Sequence, residues 1–268
     1  MRRLAAAVFG FLGVAAIFLS NENGAGRRFW YPTLIAVTGP RTHDDVRRWL
    51  GPKRRDALES AFSAVGLSYP PRRLTLVGLK DERRLEVWAE NGRGWTRVRD
   101  YAVLAASGQA GPKLREGDLQ VPEGEYRLTG FNPNSSYHLS IRVDYPSAED
   151  RAIARGEGRT RLGGDIFIHG KAVSIGCLAI GDDAIEDLYL LLADTSLANA
   201  RILLTPSAAP TAPAGAPPWL VERYGRLNRE LSRVRGRAAA GTPHLPLPLT
   251  GSGLAPLQSN DPSSAGAS

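Results

Sequence analysis

The sequence contains little cysteine, histidine and lysine, and the first two shortages limit the metal sites that it could form. Its only cysteine is Cys177, and together with four histidines it gives too few ligands for a paired metal site unless distant residues join. Lysine occurs only at positions 53, 80, 113 and 171, so arginine carries most of the net charge of +7. That charge would suit nucleic acid, anionic lipid or an acidic polymer, and it does not choose among them.

The N-terminus has the pattern of an export signal. Arg2 and Arg3 precede an uncharged apolar run, Leu4–Leu19, and the polar stretch Ser20–Gly26 follows. We expect residues 1–26 to be a signal peptide. Because no small-x-small cleavage site follows, the alternative is a retained anchor that keeps the protein in contact with the membrane. Either way, we expect an exported protein of the periplasm or cell envelope.

The rest of the chain divides into three segments. Residues 27–72 form a helical prefix, in which Pro52 predicts two helices rather than one. Residues 73–206 change to short strand patterns, followed by a helix that Asp182 or Asp183 would cap. The predicted strands are 74–77, 84–88, 95–98, 101–105, 125–129, 137–143, 165–169 and 201–204. The predicted fold class is α+β and mostly β, with one helix after the cysteine.

Residues 207–268 form a tail rich in Pro and Ala, most of which we expect to be disordered. Within it, Trp219–Arg235 has helical spacing and a basic face. This segment predicts either a solvated or loosely docked helix, or a helix that binds a membrane or polymer surface.

The segment Gly163–Cys177 carries the candidate chemistry. A buried-looking strand ends at His169, Gly170 lets the backbone turn, and a short loop returns to Cys177. A lone cysteine in an exported protein is either an inert buried side chain or a thiol kept for chemistry. The loop would bring the imidazole within hydrogen-bond reach of the thiol, and Gly176 would leave room for substrate. On these residues alone, a structural histidine at a strand end explains the pattern equally well.

Ile168-His169-Gly170, followed by Ser174-x-Gly-Cys177, resembles the active-site signature of the L,D-transpeptidase catalytic domain, the YkuD type. The resemblance covers roughly residues 73–206. Within it, further stretches are similar to the YafK-like branch of that family: 111–118, 121–126, 132–140, 144–146 and 174–180.

The resemblance implies a cysteine acyl-enzyme that acts on peptidoglycan stem peptides, without a metal, another cofactor or a nucleic acid. Cys177 would be the nucleophile and His169 the general base. The Gly170 carbonyl would orient the imidazole. The Ser174–Cys177 motif would provide the oxyanion hole from the backbone N–H groups of Gly176 and Cys177.

The chain departs from the family pattern at Ile175, where many members have a second histidine. Either that histidine is dispensable, or His138 replaces it at the substrate cleft. His138 is equally compatible with an exposed strand face. The substrate contacts predicted with it are Tyr137 and two cations, Lys113 and Arg142, which would meet substrate carboxylates.

Three functions are compatible with this sequence. The first is a transpeptidase that joins stem peptides or attaches a protein or another amine. The second is an amidase or peptidase that uses the same thiol to hydrolyse stem peptides or protein-to-peptidoglycan links. The third is a non-catalytic wall-binding module in which Cys177 is a packing residue.

Overall fold

The computed structural model describes residues 33, 35–37, 39–174 and 176–236. The predicted export segment 1–26, Ile175 and the end of the tail lie outside the described residues. Within the described ranges, no helix combines the length and the apolar character needed to cross a bilayer.

The described chain contains a run of five consecutive strands between its first two long helices, and further strands and helices after them. The helices are α1 His43–Ala64, α2 Ala148–Gly156, α3 Asp182–Thr195 and α4 Pro218–Arg235, with a short 3-10 helix at Leu197–Asn199. The strands are β1 Leu74–Leu79, β2 Arg84–Glu90, β3 Trp95–Ala102, β4 Gly124–Asn132, β5 Ser140–Val143, β6 Phe167–His169, β7 Leu178–Ala179 and β8 Ala200–Thr205. This arrangement is α+β, as the sequence predicts.

The strands form one eight-stranded sheet in the order β3-β2-β1-β8-β4-β5-β6-β7. β1 pairs with β8, and β6 with β7, in parallel, while the other neighbours are antiparallel. β4 joins the two halves, because its first part pairs with β8 and its second part with β5. The register shifts between Leu128 and Gly130, and such a bulge bends a strand. The short strands β5, β6 and β7 lie beyond that bend.

Helices cover both faces of the sheet's larger half. α1 and α3 share an apolar core with one face, while α4 and residues of β1, β2 and β8 form a second apolar cluster. Every residue of β1 is buried, which matches a sequence whose one polar residue is Thr75. Ion pairs reinforce the contact between α1 and α3, including Arg54 with Glu186 at 2.6 Å.

The prediction of two helices around Pro52 is wrong, since α1 is continuous through that proline. An internal proline removes one backbone hydrogen bond and crowds the preceding turn. Here, however, both halves of α1 bury apolar side chains in the same core: Val46 and Leu50 before the proline, and Leu58 and Phe62 after it. Tertiary packing therefore outweighs the local cost.

The helix predicted within the tail forms, and it is neither solvated nor loosely docked. Leu220, Tyr224, Leu227, Leu231 and Val234 are all buried against the sheet. Polar contacts add to this packing, among them Arg223 with Asp150 at 2.9 Å and Tyr224 with Glu123 at 2.5 Å. The apolar face that would have bound a membrane is therefore already covered.

The predicted carboxylate cap of α3 is also wrong. The N-cap is Gly181, which has no capping side chain. Asp182 instead accepts hydrogen bonds from the backbone N–H of Lys171, at 2.9 Å, and from its ammonium group, at 2.6 Å. This carboxylate therefore fixes the turn that follows His169.

Candidate active site

An open cavity with about 750 Å³ of empty space lies on the β4–β7 half of the sheet. Its lining includes five hydroxyl side chains together with the predicted imidazole and thiol. The lining residues are Asn132, Ser135, Ser136, Tyr137, Ser140, Asp165, Phe167, His169, Val173, Ser174 and Cys177.

The strand register explains why His169 and Cys177 share this cavity. β6 and β7 run parallel, with His169 paired to Ala179 and Ile168 to Leu178. Extending that register by one residue sets Cys177 level with Phe167, and alternate residues of a strand point to the same face. The two side chains are thus diagonal neighbours on one face of the sheet, and both line the cavity.

His169 is fixed by its neighbours and is only 3% exposed. Its Nδ1 lies 2.6 Å from the Gly170 carbonyl oxygen, and with the proton on Nδ1 the ring donates to that oxygen. The ring of Tyr137 lies 4.7 Å away between centroids. Burial lowers the pKa of His169 below its ordinary value of 6.5, although the Gly170 contact opposes this change. The imidazole is therefore neutral at pH 7, with Nε2 left as a proton acceptor.

The Cys177 thiol is half-buried, and its Sγ donates to the Asp165 carbonyl oxygen at 3.6 Å. Burial raises its pKa above the ordinary value of 9.0, and the charge of Asp165 raises it further, against the opposing effect of a backbone hydrogen bond from Phe167. Among the described residues, no hydrogen bond joins this thiol to His169. The structure thus holds a neutral thiol and a neutral imidazole in one cavity.

A family of known proteins matches the part of the chain that contains His169 and Cys177. Residues 72–202 match the family described as the L,D-transpeptidase catalytic domain, YkuD. Residues 72–202 belong to the YkuD family.

The curated relatives agree with this assignment. "Putative L,D-transpeptidase YafK" of Escherichia coli strain K12 is 35% identical over 112 residues, which are 41% of this chain and 43% of that protein. The protein of the same name from Escherichia coli O157:H7 matches with the same figures. The matched region therefore spans less than half the length of these relatives.

Solved structures also have limited similarity to this chain. The helical cell shape determining protein Pgp2 of Campylobacter jejuni is 21% identical, with a TM-score of 0.43 and 55% coverage of each chain. L,D-transpeptidase 1 of Mycobacterium tuberculosis is 16% identical, with a TM-score of 0.29, and the match covers 50% of this chain and 62% of that one.

The backbone N–H groups of Gly176 and Cys177, which the family resemblance assigns to an oxyanion hole, both donate hydrogen bonds within the YkuD domain. The Gly176 N–H donates to Ser107 Oγ at 2.5 Å, and the Cys177 N–H donates to Ser174 Oγ at 3.0 Å. Ser174 also donates to the Cys177 carbonyl oxygen at 2.6 Å. Two serine hydroxyls therefore hold the cysteine turn. Ser107 has no motif around it, and sequence reasoning missed it.

Gly170 occupies a position in the YkuD domain with no room for a side chain. A Cβ atom there would lie 2.7 Å from the Tyr137 carbonyl oxygen and 2.6 Å from Asp182 Oδ1. Its small size therefore lets the turn after His169 pack against the segment that carries Tyr137.

Of the four predicted substrate contacts, only Tyr137 lines the cavity of the YkuD domain. His138 has a left-handed φ of 76°, and its Nε2 contacts Glu186 on α3 at 2.7 Å. Lys113 is buried and pairs with Asp118 at 2.6 Å. Arg142 lies beside the cavity and pairs with Asp165 at 3.0 Å.

The described part of the chain offers no cluster of metal ligands. No three histidine, cysteine, aspartate or glutamate side chains come together there in a way that could hold an ion.

Proposed function

We propose that this chain is a peptidoglycan L,D-transpeptidase of the cell envelope that forms an acyl-enzyme at Cys177. The observation that carries the proposal is the cavity that His169 and Cys177 share within a YkuD domain. The Nδ1 atom of His169 lies against the Gly170 carbonyl oxygen, and the side chains of both residues line the cavity. The E. coli relatives named as L,D-transpeptidases support this choice of substrate, a stem peptide.

The proposed reaction has two acyl-transfer steps. The thiol proton moves to His169 Nε2 as Sγ attacks the carbonyl carbon of the stem peptide. The C–N bond breaks, the imidazolium returns the proton to the leaving amine, and a thioester remains on Cys177. An incoming amine then gives its proton to His169 as it attacks the thioester, and the thiol is released.

The second candidate function is hydrolysis, in which water replaces the amine in the last step. The cavity is open to solvent, so water can reach an acyl group on Cys177. The products of this reaction would be shortened stem peptides or a protein released from the wall. The same two side chains serve both functions.

Incubation of the protein with labelled tetrapeptide muropeptides, followed by mass analysis of the products, distinguishes the transpeptidase from the hydrolase. Crosslinked dimers support the transpeptidase, and shortened peptides without dimers support the hydrolase. A carbapenem adduct on Cys177 would contradict the wall-binding alternative, whereas unchanged activity in Cys177→Ala would contradict both enzymes.

The role of His169 has its own test with a matched control. His169→Gln removes the proton acceptor, and losing a general base lowers the rate by at least ~100-fold. His43→Gln changes a histidine that contacts Phe131 and Tyr189 outside the cavity, and we expect near-normal turnover. Turnover near wild type in His169→Gln would contradict the assigned role.

A further inference from the structure

We propose that Arg41, in the segment before α1, is a positioning residue that holds one wall of the active-site cavity against His169. The inference rests on the proposed acyl-transfer function, because it concerns the imidazole that accepts the thiol proton in that reaction. Arg41 lies outside residues 72–202, the part of the chain that matches the YkuD family. The inference therefore gives the helical prefix a role in the reaction.

The wall is the segment 132–140, which runs from the last residue of β4 to the first residue of β5. Between these strands, residues 133–139 form a loop, so contacts other than strand pairing must hold it in place. The segment supplies five of the eleven residues that line the cavity: Asn132, Ser135, Ser136, Tyr137 and Ser140. The shape of the cavity therefore depends on where this loop lies.

Arg41 binds the wall near both ends of the loop. Its backbone N–H donates to Asn134 Oδ1 at 2.9 Å, and the Asn134 amide donates to the Arg41 carbonyl oxygen at 2.8 Å. Its guanidinium donates to the carbonyl oxygens of Pro133 and His138, the latter at 3.4 Å. These hydrogen bonds reach from the first residue of the loop to the residue that follows Tyr137.

The beginning of α1 fixes Arg41 itself. Arg41 precedes the N-cap Thr42, whose side chain accepts from the Asp45 N–H, while the Asp45 carboxylate accepts from the Thr42 N–H. One and two turns further along, Val46 and Leu50 are buried in the core. A helix start that is both capped and packed is a firm support, so Arg41 ties the loop to α1.

His138 gives the wall a second anchor. Its Nε2 lies 2.7 Å from Glu186 Oε1, and Glu186 also pairs with Arg54 of α1 at 2.6 Å. The backbone of His138 has a left-handed φ of 76°, which is unfavourable for a residue other than glycine and persists only where its surroundings fix it. The contacts that Arg41 and Glu186 make with His138 provide this restraint.

Tyr137 passes the restraint to the proposed general base. Its ring lies 4.7 Å from the His169 ring between centroids, and its carbonyl oxygen lies 2.7 Å from the position of a Cβ atom on Gly170. The loop is thus packed against both the imidazole and the turn that follows it. Without Arg41 the loop can move away from the imidazole, and a small misplacement of a reacting group lowers the rate even when its cause is distant.

A double-mutant cycle tests whether Arg41 acts through Tyr137. The measurement is kcat/KM for release of the leaving amine from a tetrapeptide muropeptide by wild type, Arg41→Ala, Tyr137→Ala and the double variant. We expect Arg41→Ala to lower kcat/KM about 10-fold in wild type but less than about 2-fold in Tyr137→Ala, because residues that act as a unit are not additive. The control is Arg48→Ala, which removes an exposed arginine of α1 that pairs with Asp45, and it should leave kcat/KM unchanged.

Asn134→Ala breaks the same tether from the side of the loop and leaves the start of α1 intact. We expect a smaller loss of kcat/KM than in Arg41→Ala, because the guanidinium contacts remain, and again almost none in Tyr137→Ala. Wild-type kcat/KM in either Arg41→Ala or Asn134→Ala would overturn the proposal. Equal losses with and without Tyr137 would also overturn it, because Arg41 would then act on the enzyme by another route.

Nuclear magnetic resonance of the full chain with labelled histidine tests the position of the wall without any reaction. The chain has four histidines, and His169→Gln identifies the signal of His169. Because an aromatic ring shifts the resonances of nuclei close to its face, Tyr137→Ala should move that signal. Arg41→Ala should move it in the same direction, and Arg48→Ala should not.

The two measurements separate the positioning role from the proposed enzyme. A moved His169 signal in Arg41→Ala, together with no amine release by wild type, would contradict the enzyme and leave the positioning role standing. Amine release that is slower in Arg41→Ala, with an unmoved His169 signal, would contradict the positioning role and leave the enzyme standing.

Discussion

At the scale of single residues, the proposed catalytic pair, Cys177 and His169, is held uncharged. Burial raises the pKa of the Cys177 thiol above 9.0 and lowers the pKa of His169 below 6.5. Both changes disfavour a preformed thiolate–imidazolium pair, so in the proposed reaction the proton moves during the attack. A bound substrate that excludes water and aligns the thiol with the imidazole would bring these two groups into hydrogen-bond contact.

The pH dependence of activity tests this picture. His169 accepts a proton only when neutral, which requires a pH above its pKa. Because that pKa is lowered, kcat/KM at pH 6.5 should exceed half of its maximum, the level expected where an ordinary histidine is half-protonated. Alkylation of Cys177 by iodoacetamide should have its midpoint above pH 9.0. A midpoint below the ordinary thiol value would instead indicate a preformed ion pair.

Ser107 is predicted to position the cysteine turn. Its hydroxyl accepts from the Gly176 N–H and donates to the Leu119 carbonyl oxygen at 2.8 Å, so it ties the turn to a neighbouring loop. Gly176 has a left-handed φ of 90°, a conformation that glycine adopts without strain. We expect Ser107→Ala to lower kcat about 10-fold with little change in KM, and Ser107→Thr to restore it. A faster Ser107→Ala enzyme would mean that the serine blocks an oxyanion donor.

The sequence predicts the reactive side chains better than the groups that hold them. A strand that ends at His169, a glycine and a short return to Cys177 form a local pattern, and the structure brings both ends into one cavity. Ser107 reaches Gly176 from 69 positions away. That contact depends on a bridge between Ala105 and Ala179, which no local periodicity encodes.

At the scale of elements, prediction fails where tertiary contacts decide the outcome. β7 has two residues and exists through its pairing with β6, so no strand pattern identifies it. α1 passes through Pro52 because its two halves share a core. α2 is different: its N-cap Ser147 and its N3 residue Asp150 form a capping box, a signal that was present in the sequence and was missed.

The docking of α4 gives a prediction about stability. Leu227 is 2% exposed, in a cluster with strands of the sheet, whereas Val221 on the same helix is 54% exposed. Leu227→Ala should lower the free energy of unfolding by about 2–5 kcal/mol, and Val221→Ala should change it by less than about 0.5 kcal/mol. Urea denaturation followed by circular dichroism measures both. Equal, small effects would mean that the helix is not part of the core.

At the scale of the whole molecule, the folded unit is larger than the matched family segment. Residues 72–202 include neither α1 nor α4. Yet α1 contributes Leu50, Leu58 and Phe62 to the core below one face of the sheet, and α4 covers Val77 and Leu203 on the other. Both helices therefore complete cores that the segment alone would leave open to water.

Truncation tests that dependence. A fragment of residues 40–236 keeps both helices and should unfold in one cooperative thermal transition with the same midpoint as the full chain. A fragment of residues 72–206 exposes apolar faces on both sides of the sheet, and large exposed apolar patches promote aggregation. We expect it to aggregate or to lack a cooperative transition in circular dichroism. If the 72–206 fragment melts cooperatively at the same temperature as the 40–236 fragment, α1 and α4 are not required for folding. The cavity would then depend on the sheet alone, and activity on muropeptides should survive their removal.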